Sequence, residues 1–172
     1  MSSSKMEHKL PVEVLEELTT KQNPTIVMSE GNDPRIITGA AAAFDTEMCQ
    51  IVLLGHEIII KAECKKLGVE LPSGIKIVDP EKSDLLVEFE KEYLNLNKKK
   101  GISTEEARNK VKEPLNFAAL MVRLGHAAGT VGGAVETTSN VVRAAIQIIG
   151  KSDETQIISS CFLMYPKNNY PM

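Results

Sequence analysis

Residues 129–150, GTVGGAVETTSNVVRAAIQIIG, hold the residue types of this chain best spaced to do chemistry together. Gly132 and Gly133 follow an apolar run and let the backbone approach a ligand with no Cβ in between. Thr137, Thr138 and Ser139 stand at a helix entrance, where free N–H groups and the positive end of the helix dipole favour an anion. Arg143, four residues after Ser139, falls on nearly the same helix face and can reach back with a planar fork of donors. Together these groups would make a phosphate or carboxylate seat. The plainer account is a capped helix start with a solvated arginine, and pattern alone favours it over the seat.

The segment is not a nucleotide fingerprint. It lacks the G-x-G-x-x-G order, and no Walker G-K-[ST] occurs anywhere, which disfavours a dinucleotide-binding half-domain. Other reactive side chains are more scattered. Glu30 and Asp33 precede Arg35 and read as a loop-ordering ion pair, with a functional acidic pair as the alternative. His56 reads as a structural or exposed residue at a strand end, His126 as a turn residue, and His8 lies in a polar leader. Cys49, Cys64 and Cys161 show no metal-ligand or redox spacing, and their apolar contexts imply reduced, mostly buried thiols.

The elements that must position these residues alternate along the chain. Helices are expected from Pro11, over 35–48, 57–67 and 83–97, then over 103–124 with a break at Pro114, and over 141–149. Between them, short apolar runs at 25–28, 49–55, 75–78, 130–135 and 157–164 read as strands. Continuous apolar strands separated by helices imply βαβ units, hence an open, mostly parallel α/β sheet with helices on both faces. Ligands of such sheets sit beyond the carboxyl ends of the strands, which is where 29–33, Gly55-His56, Asp79 and 132–139 fall. Residues 1–10 read as a loose leader, 11–156 as one α/β domain, and 157–172 as the start of a second.

Composition narrows the class further. With 172 residues, 42% of them hydrophobic, and a net charge of −3, the chain can bury an ordinary core and offers no general field for nucleic acid. Aromatics at 4% argue against a base-stacking platform, and the run Lys98-Lys99-Lys100 reads as a solvated helix end. No apolar run approaches the roughly 18 residues of a membrane span, so a soluble, cytoplasmic setting is expected.

At the level of motifs, IVMSEGNDPR (26–35), FAALMVRLG (117–125), the segment from Gly132 to Ile149 and SSCFLM (159–164) together resemble the phosphate acetyltransferase and butyryltransferase family, in order, over roughly residues 25–164. Lys100-Gly101-Ile102-Ser103 with Ala107 is similar as well. The resemblance implies a fold like that of isocitrate and isopropylmalate dehydrogenases, two domains facing a cleft, and commonly a homodimer. It implies the conversion of acyl phosphate and coenzyme A to acyl-CoA and phosphate, with coenzyme A as substrate and no tightly bound cofactor. It also implies Arg143 as the catalytic contact to phosphate, with Gly132, Gly133, Thr137, Thr138 and Ser139 around it, deciding for the anion seat.

The sequence departs from that pattern in places. Many relatives carry histidine at Glu136, aspartate at Asn140, proline at Ala144 and arginine at Asn97. Family members run to about twice this length. The resemblance therefore implies an N-terminal part whose second domain, with an arginine and a thiol-activating aspartate, would come from elsewhere. Such a part is expected to be inactive alone and active only when completed, with a homodimer or a complementing C-terminal chain as partner; a non-catalytic phosphate-binding or assembly fragment of the fold is the alternative.

Overall fold

The structure, a computed structural model, describes residues 11–152 together with Glu154, Ile157 and Ile158. Seven helices and four strands alternate among them: α1 Pro11–Gln22, β1 Thr25–Met28, α2 Pro34–Phe44, β2 Gln50–Leu54, α3 Glu57–Leu67, β3 Lys76–Val78, α4 Leu86–Leu96, α5 Thr104–Val111, α6 Pro114–Arg123, β4 Gly129–Val131 and α7 Thr138–Ala144. A π-helical turn, Ala145–Ile149, continues α7 and closes with Gly150 N–H donating to the Ala145 carbonyl at 3.0 Å. No helix among the described residues is long and apolar enough to cross a membrane.

Local chemistry accounts for most boundaries. Asp33 caps α2, accepting from the Arg35 amide, and Pro34 supplies the preset φ of the first turn. Ser103 and Glu106 form a reciprocal capping box at α5. Pro114 ends the α5 path and opens α6, giving the break expected inside 103–124. Gly68, at φ +65°, terminates α3 in the left-handed conformation where glycine meets no steric cost.

All strand pairs are parallel, in the order β3-β2-β1-β4, with Val27 opposite Val52 and Thr130. Side chains alternate across β2, so Ile51 and Leu53 face one layer and Val52 and Leu54 the other. The first layer is α2 and α3, through Ile37, Ala40, Ile60 and Cys64. The second holds Phe89 of α4, Val111 of α5, Phe117 to Met121 of α6 and Ile148 of the π turn. Phe89 and Phe117 meet edge to face, ring centroids 4.7 Å apart, at the centre of that layer. The open α/β sheet with both faces covered is as expected.

Some expectations differ in extent. β4 ends at Val131 instead of running to Val135, because the chain beyond it turns to meet the β1 loop. The last helix is seven residues of α-helix followed by the π turn, in place of one helix over 141–149. Of the strand expected at 157–164, Ile157 and Ile158 are not in strand geometry, and the rest, with Cys161, lies outside the described residues, as does the leader at 1–10.

Phe117, with none of its surface exposed, tests this packing. Phe117→Ala should cost about 3–5 kcal/mol of unfolding free energy by urea denaturation. Ile58→Ala, at a position 85% exposed, should stay within about 0.5 kcal/mol of the parent.

Candidate functional site

Strand order reverses between β1 and β4: the chain leaves β1 for β2 on one side and returns from α6 to β4 on the other. A crevice opens beyond the carboxyl ends of parallel strands at such a point. Here it is a cleft of about 840 Å³, lined by the turns after β1 (Ser29, Glu30, Asn32, Asp33), β2 (Gly55, His56) and β3 (Asp79), by the α5–α6 junction, and by Asn140, Arg143, Ala144 and Gln147.

Tight backbone approaches shape its floor. A Cβ on Gly31 would lie 2.7 Å from the Leu54 carbonyl oxygen, and one on Gly132 would lie 2.6 Å from Ser29 Oγ. Glycine is thus required at both places to let the β1 turn nest between β2 and β4. Ser29, 1% exposed, directs its amide to the Val131 carbonyl at 3.1 Å, joining the two turns.

Glu30 then crosses to the segment after β4. One carboxylate oxygen accepts from the amides of Gly133 (2.8 Å) and Ala134 (2.7 Å), the other from Val135 (2.9 Å) and Glu136 (2.6 Å). Burial pushes this carboxyl up, but the four amides outweigh it and hold its pKa below the usual range. From the same turn, Arg35 donates to the Ala134 carbonyl and pairs with both Asp33 oxygens at 2.9 Å. The Asp33–Arg35 ion pair orders the loop as its spacing suggests, whereas Glu30 is taken up by backbone amides and not by the arginine.

The residues expected to gather around an anion are partly separated. The Gly133 amide is bonded to Glu30, and Gly132 packs against Ser29. Thr137 is the N-cap of α7, its hydroxyl accepting from the Asn140 amide at 3.2 Å. Thr138 and Ser139 line a shallower concavity with Val142 and Ile146. Arg143 and Gln147 border both spaces. Asn140, Arg143, Ala144 and Gln147, spaced at three, four and seven residues, form the cleft face of α7 and its π turn. That periodicity is the signal by which Asn140 and Gln147 could have been found; Glu30 offered none, because its partners lie more than a hundred residues away.

Charge in the cleft is mostly paired. Lys110 pairs with Glu113 at 2.7 Å, and His56 Nδ1 with Asp79 at 3.1 Å. Arg143 and Lys112, by contrast, have no carboxylate within ion-pair distance among the described residues. The Arg143 guanidinium instead donates to Asn140 Oδ1 at 3.3 Å, and the Asn140 amide donates to Glu136 at 2.8 Å. A neutral amide thus holds the arginine and leaves its charge whole. Burial pushes the Cys49 and Cys64 thiols up, so neither is an activated nucleophile. No cluster of three or more His, Cys, Asp or Glu suited to a metal ion occurs among the described residues.

A parallel α/β sheet whose turns meet at a strand-order reversal, with a cleft beyond them, defines the class of open α/β proteins whose ligands sit outside the carboxyl ends of the strands. Comparison with known proteins narrows this class. The model of the phosphate acetyl/butaryl transferase family matches residues 11–171, and the chain belongs to that family. It is 36% identical over 139 residues to the phosphate acetyltransferase of Corynebacterium glutamicum, covering 81% of this chain and 42% of that protein. It is 34% identical over 150 residues to that of Escherichia coli strain K12, covering 87% of this chain and 21% of that one. Among solved structures, a phosphotransacetylase from Streptococcus pyogenes superposes with a TM-score of 0.83 at 27% identity, over 91% of this chain and 47% of its own. The chain spans less than half the length of these relatives.

Arg35 lowers the Asp33 pKa from 3.8 to about 2. A carboxyl depressed on folding adds stability that is complete above its unfolded pKa and is lost as the pH falls through the folded one. The thermal midpoint should therefore drop between about pH 4 and pH 2. In Asp33→Asn, which keeps a capping oxygen without the charge, that drop should be shallower.

Proposed function

We propose that the protein to which this chain contributes transfers an acyl group between acyl phosphate and coenzyme A, with Arg143 as the contact to the phosphate. The observation that carries the reading is Arg143 itself: it lies at the cleft beyond the strand ends and, among the described residues, has no carboxylate within ion-pair distance. In the reaction the coenzyme A thiolate attacks the acyl carbon, a C–S bond forms, and the C–O bond to phosphate breaks. Phosphate leaves with that electron pair, and the thiol proton passes to a base or to water. Negative charge grows on the phosphate as the bond breaks, and a preformed guanidinium fork favours that state over the ground state. Lys112, also without a carboxylate partner among the described residues, lines the same cleft and adds positive potential to it.

Family membership supports the reaction class, and relatives named phosphate acetyltransferase support acetyl phosphate as the acyl donor. Thr138 and Ser139 extend hydroxyl donors from the adjoining concavity that shares Arg143. With this reading come coenzyme A as substrate and not resident cofactor, a cytoplasmic setting, and a homodimer or a complementing C-terminal chain as partner. Residues 11–156 then form the first domain, and 157–172 open the second.

Arg143→Ala should weaken binding of inorganic phosphate about 10- to 100-fold in calorimetric titration, the loss of a charge-assisted hydrogen-bond pair. Unchanged affinity removes Arg143 from the site. Loss of the coenzyme A thiol in the presence of acetyl phosphate, assayed with and without an added C-terminal half from a relative, separates the enzyme from a phosphate-binding module, which would bind without turnover in either mixture.

A further inference from the structure

Four consecutive amides, Gly133 to Glu136, converge on one carboxylate, two on each of its oxygens. A concave run of N–H groups of this kind is an anion receptor. Gly133 makes it possible, with φ +108°, a backbone conformation that residues with a Cβ rarely adopt. The receptor is filled by a carboxylate of the chain itself. Glu30 satisfies each donor at 2.6–2.9 Å, while Arg35 holds the Ala134 carbonyl from the other side. The residue after the last clamped amide is Thr137, the N-cap of α7, the helix that carries Arg143.

We propose that Glu30 is an internal anion that occupies the four-amide nest, fixes the entry of α7 so that Arg143 faces the cleft, and leaves the ligand's oxyanion to side chains instead of loop amides. The inference rests on the reading of Arg143 as the phosphate contact. A ligand that took the nest would have to break four charge-assisted bonds and strand a half-buried carboxylate without donors, and such an exchange is unfavourable. Glu30 is therefore a positioning residue: it acts on the ligand through the orientation of Arg143.

Chemical rescue tests this. Glu30→Ala should weaken binding of inorganic phosphate by about tenfold or more and lower the thermal midpoint by about 5 °C. Formate, a small carboxylate able to enter the vacated nest, should restore both in that variant. It should do neither in the parent, where the nest is full. Glu30→Gln should resist rescue, because its amide still fills the space and turns an NH₂ group toward two of the donors. In the double variant Glu30→Ala, Arg143→Ala, formate should restore the midpoint but not phosphate binding. Formate acting equally on the parent and on Glu30→Ala, or parental phosphate affinity in Glu30→Ala, overturns the proposal. If Glu30→Ala does not fold with or without formate, Glu30→Asp replaces it, and a parental midpoint and affinity there overturn the proposal too. If the parent binds no phosphate, the Arg143 reading fails by itself, and the formate-dependent midpoint still decides whether Glu30 fills the nest.

Discussion

One carboxylate meeting four backbone amides across the β1/β4 junction is the contact on which the arrangement of the cleft depends. The two turns it joins leave neighbouring parallel strands at the point where strand order reverses, so no βαβ connection links them directly. Without a cross-link, the segment after β4 would have four donors to satisfy with water and no defined path into α7. Charge-assisted bonds to backbone amides are individually stronger than neutral ones, and all four are gained by ordering a single side chain. The glycines at 31 and 132 serve the same contact by letting the β1 turn settle between Leu54 and Val131.

Within the cleft, the result is that few charges are left unspoken for. Its walls carry more carboxylates than cations, yet most are committed: Glu30 to amides, Asp33 to Arg35, Asp79 to His56, Glu113 to Lys110. Among the described residues, Arg143 and Lys112 are the cleft cations left over. Asn140 matters here because an amide can fix a guanidinium in place without cancelling its charge. Glu136, where many relatives carry histidine, accepts from the Asn140 amide and so orients the oxygen that Arg143 uses.

The legible part of this fold is the part written locally. The ion pair of Asp33 and Arg35, the helix start near Ser103, the break at Pro114 and the apolar strand at 50–54 each depend on residues within a turn of one another, and each falls where the pattern places it. The short β4 was not legible, because it ends where Glu30, distant in sequence, captures the chain. Nor was the division of Thr137, Thr138 and Ser139 among a cap and a separate concavity, since successive helical residues point about 100° apart and adjacency in sequence is not adjacency in space. The arginine was found by its type and place, and its amide tether only by its geometry.

The wide turn at Ala145–Ile149 carries a consequence for how this region tolerates insertion and deletion. It holds one residue more than an α-helical turn would need between the Ala145 carbonyl and its donor. That surplus residue sets the phase in which Ile148 enters the core while Gln147 borders the cleft and Arg123 caps the Ile148 carbonyl at 3.0 Å. Losing a single residue here would return the backbone to ordinary helical winding and rotate everything beyond it by about 100°, taking the buried isoleucine out of register with Phe89 and its neighbours. Length in this stretch is thus as constrained as identity, although no single side chain in it advertises the fact.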